Sequence, residues 1–312
     1  MVKAMTRRWT KSRKAFLVTL VVFGVSCVLY LWLPYRVAVV QLFFKLGGSR
    51  LLIPAEYGPL DSPRFLPLAQ VSAYPASTEV LGLELNGEAK AIPVKRIAWH
   101  LVVNDQLGGQ PVVFTLCTVT NAALAYRATA GQQRLDFAPA RLARNNLVMR
   151  DRQTGSDWQQ FTGRATEGPL AGTELVRLPV LRMSLENWRA RYPAGVILEP
   201  AGSDRDCCAP NDTCPVMSYF PSRPFLLQRP SREDERLPRK QTVTGLLIAD
   251  GDAVAAVGQL PVDFRSAPGC FPIRCYWFAW VEFHPETKLV SSWKDIEGVD
   301  FGPGRASGGR QR

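Results

Sequence analysis

Short runs of alternating apolar and polar residues, broken by glycine- and asparagine-bearing turns, fill the middle of this chain. Strict alternation is the mark of half-buried strands. Residues 79–92 are two such arms around Asn86-Gly87, a dipeptide suited to the positive φ angles of a two-residue hairpin turn. A second hairpin is expected from Trp99-His100 through Leu107-Gly108-Gly109-Gln110 to Leu116-Cys117. With a two-residue turn, Leu107 faces Gln110, and counting back places His100 opposite Cys117. Facing residues have Cβ atoms roughly 4.5–5.5 Å apart. Further short strands are expected at 122–128, 133–137, 147–151, 158–161 and 174–178, giving an antiparallel sheet wrapped on itself. Ser184 N-caps a short helix that ends near Arg191, before Pro193.

The hairpin pattern recurs. Val80-Leu81-Gly82 opens the first arm and Val243-Thr244-Gly245 a later one, each followed by an apolar arm, an Xaa-Gly turn and alternating alanines. This predicts two related hairpin lobes. Residues 275–283 are continuously apolar and aromatic, and read as a buried central strand. The proline-rich stretch 53–75 reads as an irregular lead-in.

The start of the chain has a different texture. Residues 1–14 carry six basic and no acidic side chains, and 15–33 are uncharged and apolar. Such a run spans roughly 30 Å as a helix, the thickness of a bilayer's hydrocarbon core. Basic residues ahead of it place the N-terminus in the cytoplasm. A cleaved signal peptide fits less well: the run is long, and no small-x-small site follows Pro34. The expected plan is a basic cytoplasmic segment at 1–14, a signal anchor at 15–34, a juxtamembrane segment at 35–52 and a first β-rich lobe at 53–200. A Pro/Cys-rich connection at 201–240, a second lobe at 241–300 and a disordered tail at 301–312 complete it. The fold class is mostly β (α+β): a transmembrane helix followed by an antiparallel extracytoplasmic domain, periplasmic in a cell with two membranes.

The net charge of +11 suggests nucleic acid only until its distribution is seen. Much of it sits at the N-terminus and in the tail, and no basic stripe with interleaved aromatics runs through the body, which argues against that partner. Outside the cytoplasm, Cys207, Cys208, Cys214, Cys270 and Cys275 are disulfide candidates, and their odd number leaves one to stay free or to pair with Cys117. A metal held by Cys207, Cys208 and Cys214 is the weaker alternative, since no histidine lies nearby.

Candidate chemistry centres on Cys117. Beside His100, its thiol is either a nucleophile activated by an imidazolium or half of a soft-metal site, copper for example, with Met149 or Met217 as helpers. The plainer alternative is a buried cysteine near a structural histidine. Asp151, Arg152 and Trp158 line a pocket for a polar ligand, or else form a salt-bridged turn over a core tryptophan. His284, before Pro285 at a strand end, reads as a surface histidine.

Several of these segments together resemble one family, the domain-of-unknown-function 3179 family, some of whose members are selenoproteins. The resemblance rests on Trp99-His100 with Val103-Asn104-Asp105, on Gly108 to Val112, on the motif at Cys117, on Asp151-Arg152-Gln153-Thr154-Gly155-Ser156 with Trp158-Gln159, and on Gly168-Pro169-Leu170-Ala171-Gly172-Thr173. Asp234 to Pro238 and Trp277 to Trp280 with His284-Pro285 extend it. The family pattern implies a second cysteine three residues after Cys117 and, with its selenocysteine relatives, redox chemistry. Here Thr120 stands in that place, followed by Asn121. A dithiol cycle within the motif is therefore closed to this chain. Thiol-dependent redox at Cys117 and His100 is one functional expectation, with Thr120 and Asn121 at its edge. A non-catalytic module that binds a soft metal ion or an envelope partner protein is another, and a purely structural envelope protein a third.

Overall fold

The computed structural model describes residues 51–52, 58–200, 230–247, 253–257 and 271–290. The expected anchor at 15–34, the segments on either side of it, most of the 201–240 connection and the tail lie outside the described residues. So do Cys207, Cys208, Cys214, Cys270 and Met217. Among the described residues no helix is long and apolar enough to cross a membrane. The chain divides after Leu51, and the sheets belong to the second unit.

The protein is mostly β, with antiparallel-rich sheets. After β1 (Leu51–Leu52), the short strands β2 (Leu60–Asp61) and β3 (Phe65–Pro67) occupy part of the proline-rich lead-in. The hairpin β4 (Glu79–Leu85) and β5 (Glu88–Pro93) leads to helix α1 (Val94–His100). A meander follows, β6 (Val102–Leu107), β7 (Gln110–Cys117) and β8 (Ala122–Arg127). A small ribbon, β9 (Thr129–Ala130) with β10 (Gln133–Arg134), precedes β11 (Phe137–Ala143), β12 (Asn146–Asp151), β13 (Asp157–Gln159) and β14 (Arg164–Glu167). Then come β15 (Arg177–Leu178), β16 (Leu181–Ser184), α2 (Leu185–Arg191) and β17 (Val196–Leu198). Beyond residue 230 lie β18 (Thr242–Leu247), β19 (Ala253–Val257), β20 (Ile273–Tyr276), α3 (Trp277–Phe283) and β21 (Lys288–Val290).

Both expected turns form. Asn86 and Gly87 have φ of 53° and 83°, and Gly108 and Gly109 have 56° and 73°. Leu85 faces Glu88, and Leu107 faces Gln110. The two turns touch, with Asn86 Nδ2 donating to the Gly108 carbonyl at 2.8 Å and the Gly108 amide donating to Glu88 Oε2 at 3.0 Å. Lys90 Nζ reaches across to Asp105 Oδ2 at 2.7 Å. Between the β4–β5 and β6–β7 hairpins, Leu81, Leu83, Ile92, Ile97 and Phe114 share one apolar core.

Two sheets repeat one pattern. Strand order is β16-β4-β5-β17-β3 in one and β20-β18-β19-β21 in the other. In each, an antiparallel hairpin is flanked by a strand that runs into a seven-residue helix and on to a strand parallel to the hairpin's second arm. In each, a strand glycine lies under a helix tryptophan: a Cβ on Gly82 would come within 2.1 Å of the Trp188 ring, and one on Gly245 within 2.3 Å of the Trp280 ring. Both helices end on a residue with φ −133° and ψ 68°, Tyr192 and His284, whose rings lie 4.3 Å from the respective tryptophans.

Two sequence expectations need correction. The apolar run 275–283 is no single strand: β20 ends at Tyr276, and Trp277–Phe283 is helical. A run buried on every side loses its period, so periodicity cannot separate the two states. His100 is likewise not a strand residue. It is the last residue of α1, and Leu101 (φ 62°) reverses the chain before β6 begins. The ladder therefore stops at Val102↔Thr115, followed by one more bond from the Leu116 amide to the Leu101 carbonyl.

Candidate functional site

Cys117 is the last residue of β7, paired with Ala122 across a four-residue turn. The side chain is buried, and its Sγ approaches the Asn145 carbonyl at 3.9 Å. Burial pushes the thiol pKa up, only partly offset by hydrogen bonds from Thr120 and nearby amides. A thiol in that setting stays protonated at neutral pH, whereas reactive cysteines sit in electropositive, partly exposed surroundings. The expected His100 partnership is absent from its hydrogen bonds, which go to Asn145, Thr120, Val119 and Leu147. His100 Nδ1 instead lies 2.9 Å from the Gly58 carbonyl, to which it can only donate.

What surrounds Cys117 is a polar network absent from the sequence expectations. Thr120 Oγ1 donates to the Cys117 carbonyl at 3.4 Å and accepts from Asn146 Nδ2 at 3.3 Å. Asn146 Nδ2 also donates to Gln160 Oε1 at 2.8 Å, and its Oδ1 accepts from Gln159 Nε2 at 2.6 Å and the Phe161 amide at 3.0 Å. Gln160 Nε2 donates to Thr115 Oγ1 at 3.0 Å and the Ala122 carbonyl at 3.1 Å. Tyr126 closes the network by donating to the Gln160 carbonyl at 2.7 Å. These groups are buried and hydrogen-bonded to one another, which rigidifies the turn. The available sequence signal was the pair of paired amides, Asn145-Asn146 and Gln159-Gln160.

Asn121 faces the other way. In the left-handed region at φ 55°, it presents its carbonyl and Oδ1 to Arg182 Nη1 at 3.2 and 2.8 Å. Arg182 Nη2 donates to Glu79 Oε2 at 2.7 Å, and Arg274 Nη1 donates to the other oxygen of the same carboxylate. Burial is the largest effect on Glu79 and raises its pKa, but the two guanidinium groups together outweigh it and hold the carboxyl below its usual range. The Tyr276 amide donates to the Thr120 carbonyl at 2.9 Å, so the second of the similar sheets docks against the Cys117–Asn121 turn.

Asp151 accepts from Trp158 Nε1 at 2.8 Å and from Thr154 Oγ1 at 2.8 Å, while Trp158 is fully buried. That is an Asx-type turn stapled to a core indole. Arg152 pairs with Asp61 at 2.9 Å on the surface. The same turn edges an open cleft of about 430 Å³ with Ala138, Pro139, Arg141 and Arg150. Cys275, one of the five disulfide candidates, is a free, buried thiol whose pKa burial drives far upward; the other four lie outside the described residues. Its side chain sits within the β18–β20 ladder opposite Val243, enclosed by the core. His284, expected at the surface, packs on Trp280 and on Phe161, with a buried Nε2 that has no hydrogen-bond partner among the described residues. Among the described residues no group of three or more His, Cys, Asp or Glu side chains could hold a metal ion, and Met149 is a core residue.

No curated protein and no solved structure matches this chain. One family model does, over residues 53–262, which covers the Cys117 turn, its amide network and the first similar sheet. The chain belongs to the family described as proteins of unknown function, DUF3179.

Proposed function

We propose that this chain is a membrane-anchored, extracytoplasmic module that binds rather than catalyses, and that Cys117 is a packing residue in it. The observation that carries this is the burial of the Cys117 sulfur among satisfied amides, with a raised pKa and no hydrogen bond to His100. The membrane tether rests on the basic segment 1–14 and the apolar run 15–34. The test is alkylation of Cys117 in the native protein from pH 6 to 9, with the other thiols quantified separately. We expect labelling only at the rate of unfolding. Fast labelling with an apparent pKa well below about 8.5, the unperturbed thiol value, would overturn the reading.

The two similar sheets are, on this proposal, copies of one unit: a hairpin followed by strand, helix and strand. Their shared strand order, glycine–tryptophan contact and helix-ending dihedrals support it. The first copy is interrupted between β5 and β16, and that insertion carries the Cys117 turn.

One observation favours the redox reading for relatives. The Thr120 side chain reaches both the Cys117 carbonyl and the Cys117 thiol, so a cysteine at 120 would stand beside the first thiol. Thr120→Cys is therefore expected to acquire an internal disulfide on mild oxidation, detected by loss of two free thiols. An oxidised variant that retains both would remove this support.

A further inference from the structure

Arg182 and Arg274 hold the same place in the two similar sheets. Each stands two residues before its helix's N-cap residue, Ser184 or Tyr276, and six before the buried tryptophan. Each pairs across the ladder with the residue preceding the strand glycine, Leu81 or Thr244. The sheets meet so that both guanidinium groups converge on Glu79, one on each carboxylate oxygen. The position equivalent to Glu79 in the second sheet is Thr242, which brings no charge. Two cations thus share one carboxylate, and the cluster keeps a net charge of about +1.

The donors are not used up. Arg182 Nε and Arg274 Nε are both buried and have no hydrogen-bond partner among the described residues, and the Arg182 side chain is only 9% exposed. Leaving a charged donor buried and unpaired is costly, more so than for a neutral group. The Glu79 side chain remains 33% exposed and Arg274 23%, so solvent reaches one side of the cluster. Planar guanidinium forks match the oxygens of phosphate and carboxylate groups.

The geometry points to an oxyanion-binding site at the junction of the two sheets, where Arg182 and Arg274 take the phosphate or carboxylate group of a small ligand beside Glu79. This deepens the binding-module reading by naming a ligand class, and it holds its own if Cys117 proves reactive. Glu79 is the internal competitor: it satisfies part of each arginine and thereby sets how tightly the ligand's charge is held.

The test is calorimetric titration of the purified full chain with inorganic phosphate and, in a second arm, acetate, each against chloride at matched ionic strength. Saturable binding in either arm is expected, phosphate alone assigning a tetrahedral anion and acetate a carboxylate. Arg274→Gln should weaken it by about tenfold or more, the loss of one charge-assisted fork. Glu79→Gln should tighten it severalfold, a gain that a misfolded variant would not produce. Arg64→Gln, in the exposed surface pair with Glu199 at 3.5 Å, should leave it unchanged. No saturable binding in either arm, or equal binding by wild type and Arg274→Gln, overturns the site. Failure here with an inert Cys117 removes only the oxyanion site; binding intact with a reactive Cys117 removes only the non-catalytic reading.

Discussion

His284 illustrates how one residue's surroundings decide its chemistry. Burial, with Arg177 adding to it, pulls its pKa from the usual 6.5 down to about 4. The native ring is neutral, lying on Trp280 at 4.3 Å and near Phe161 at 5.9 Å. The unfolded chain takes up a proton as pH falls below about 6.5, and the native state does so only near 4. Stability is therefore full above 6.5 and declines as pH drops through that window, by up to about 3 kcal/mol. His284→Phe keeps the aromatic packing and removes the buried orphan nitrogen. Its urea midpoint should lose most of this decline between pH 6.5 and 4 relative to wild type. An identical decline in both proteins would show that His284 is not its source.

At the scale of elements, the hairpins were readable because a two-residue turn needs positive φ at both central positions, and Asn-Gly and Gly-Gly supply it. The two Gly-Gly positions are nevertheless not alike. A Cβ on Gly108 would meet the Leu85 carbonyl oxygen, at the end of the neighbouring hairpin's first arm, while one on Gly109 meets nothing within 4 Å. Gly109→Ala carries only the cost of a left-handed alanine, about 1 kcal/mol. Gly108→Ala adds a backbone clash and should cost about 1–3 kcal/mol more, measured by chemical denaturation. Equal losses would mean the adjoining turns are not held in register. The reach of α1 was not readable in the same way. Trp99 and His100 follow an apolar arm and precede another, and only Leu101 in the left-handed region separates helix from strand. A leucine at such a position carries no sequence mark, since nothing in its side chain favours positive φ.

For the whole molecule, the second similar sheet is fastened to the first part of the chain by a few polar ties across an aromatic contact. Arg144 donates to Glu282 Oε1 at 2.6 Å and to the Glu282 carbonyl at 2.8 Å, and its guanidinium lies over Phe283 at 4.9 Å. Phe283 in turn stacks on Phe161 at 4.5 Å. The Glu282 side chain is only 2% exposed, and Ser231 provides its other hydrogen bonds. Arg144→Gln leaves that buried carboxylate without its cation, a loss of about 1–3 kcal/mol. Limited proteolysis should then cut the second sheet faster than the first. An unchanged digestion pattern and unfolding midpoint would show that apolar packing alone holds the two together.

Local chemistry was enough to write most of the β architecture into the sequence. Alternation, turn dipeptides and the Ser184 cap each depend on neighbours a few residues away, and Ser184 Oγ does accept from the Asn187 amide at 3.3 Å. The recurrence of Val-x-Gly was visible for the same reason, since each glycine answers to a tryptophan on its own sheet. Tertiary structure alone decided the site. Whether Cys117 meets a histidine or a shell of amides depends on a helix ending one residue before a strand, and on strands far apart in the chain. The meeting of Arg182 and Arg274 on Glu79 depends on how two sheets dock, with 195 residues separating Glu79 from Arg274. Contacts of that span leave no periodic trace in a sequence, because each partner's own segment would fold alike without the other.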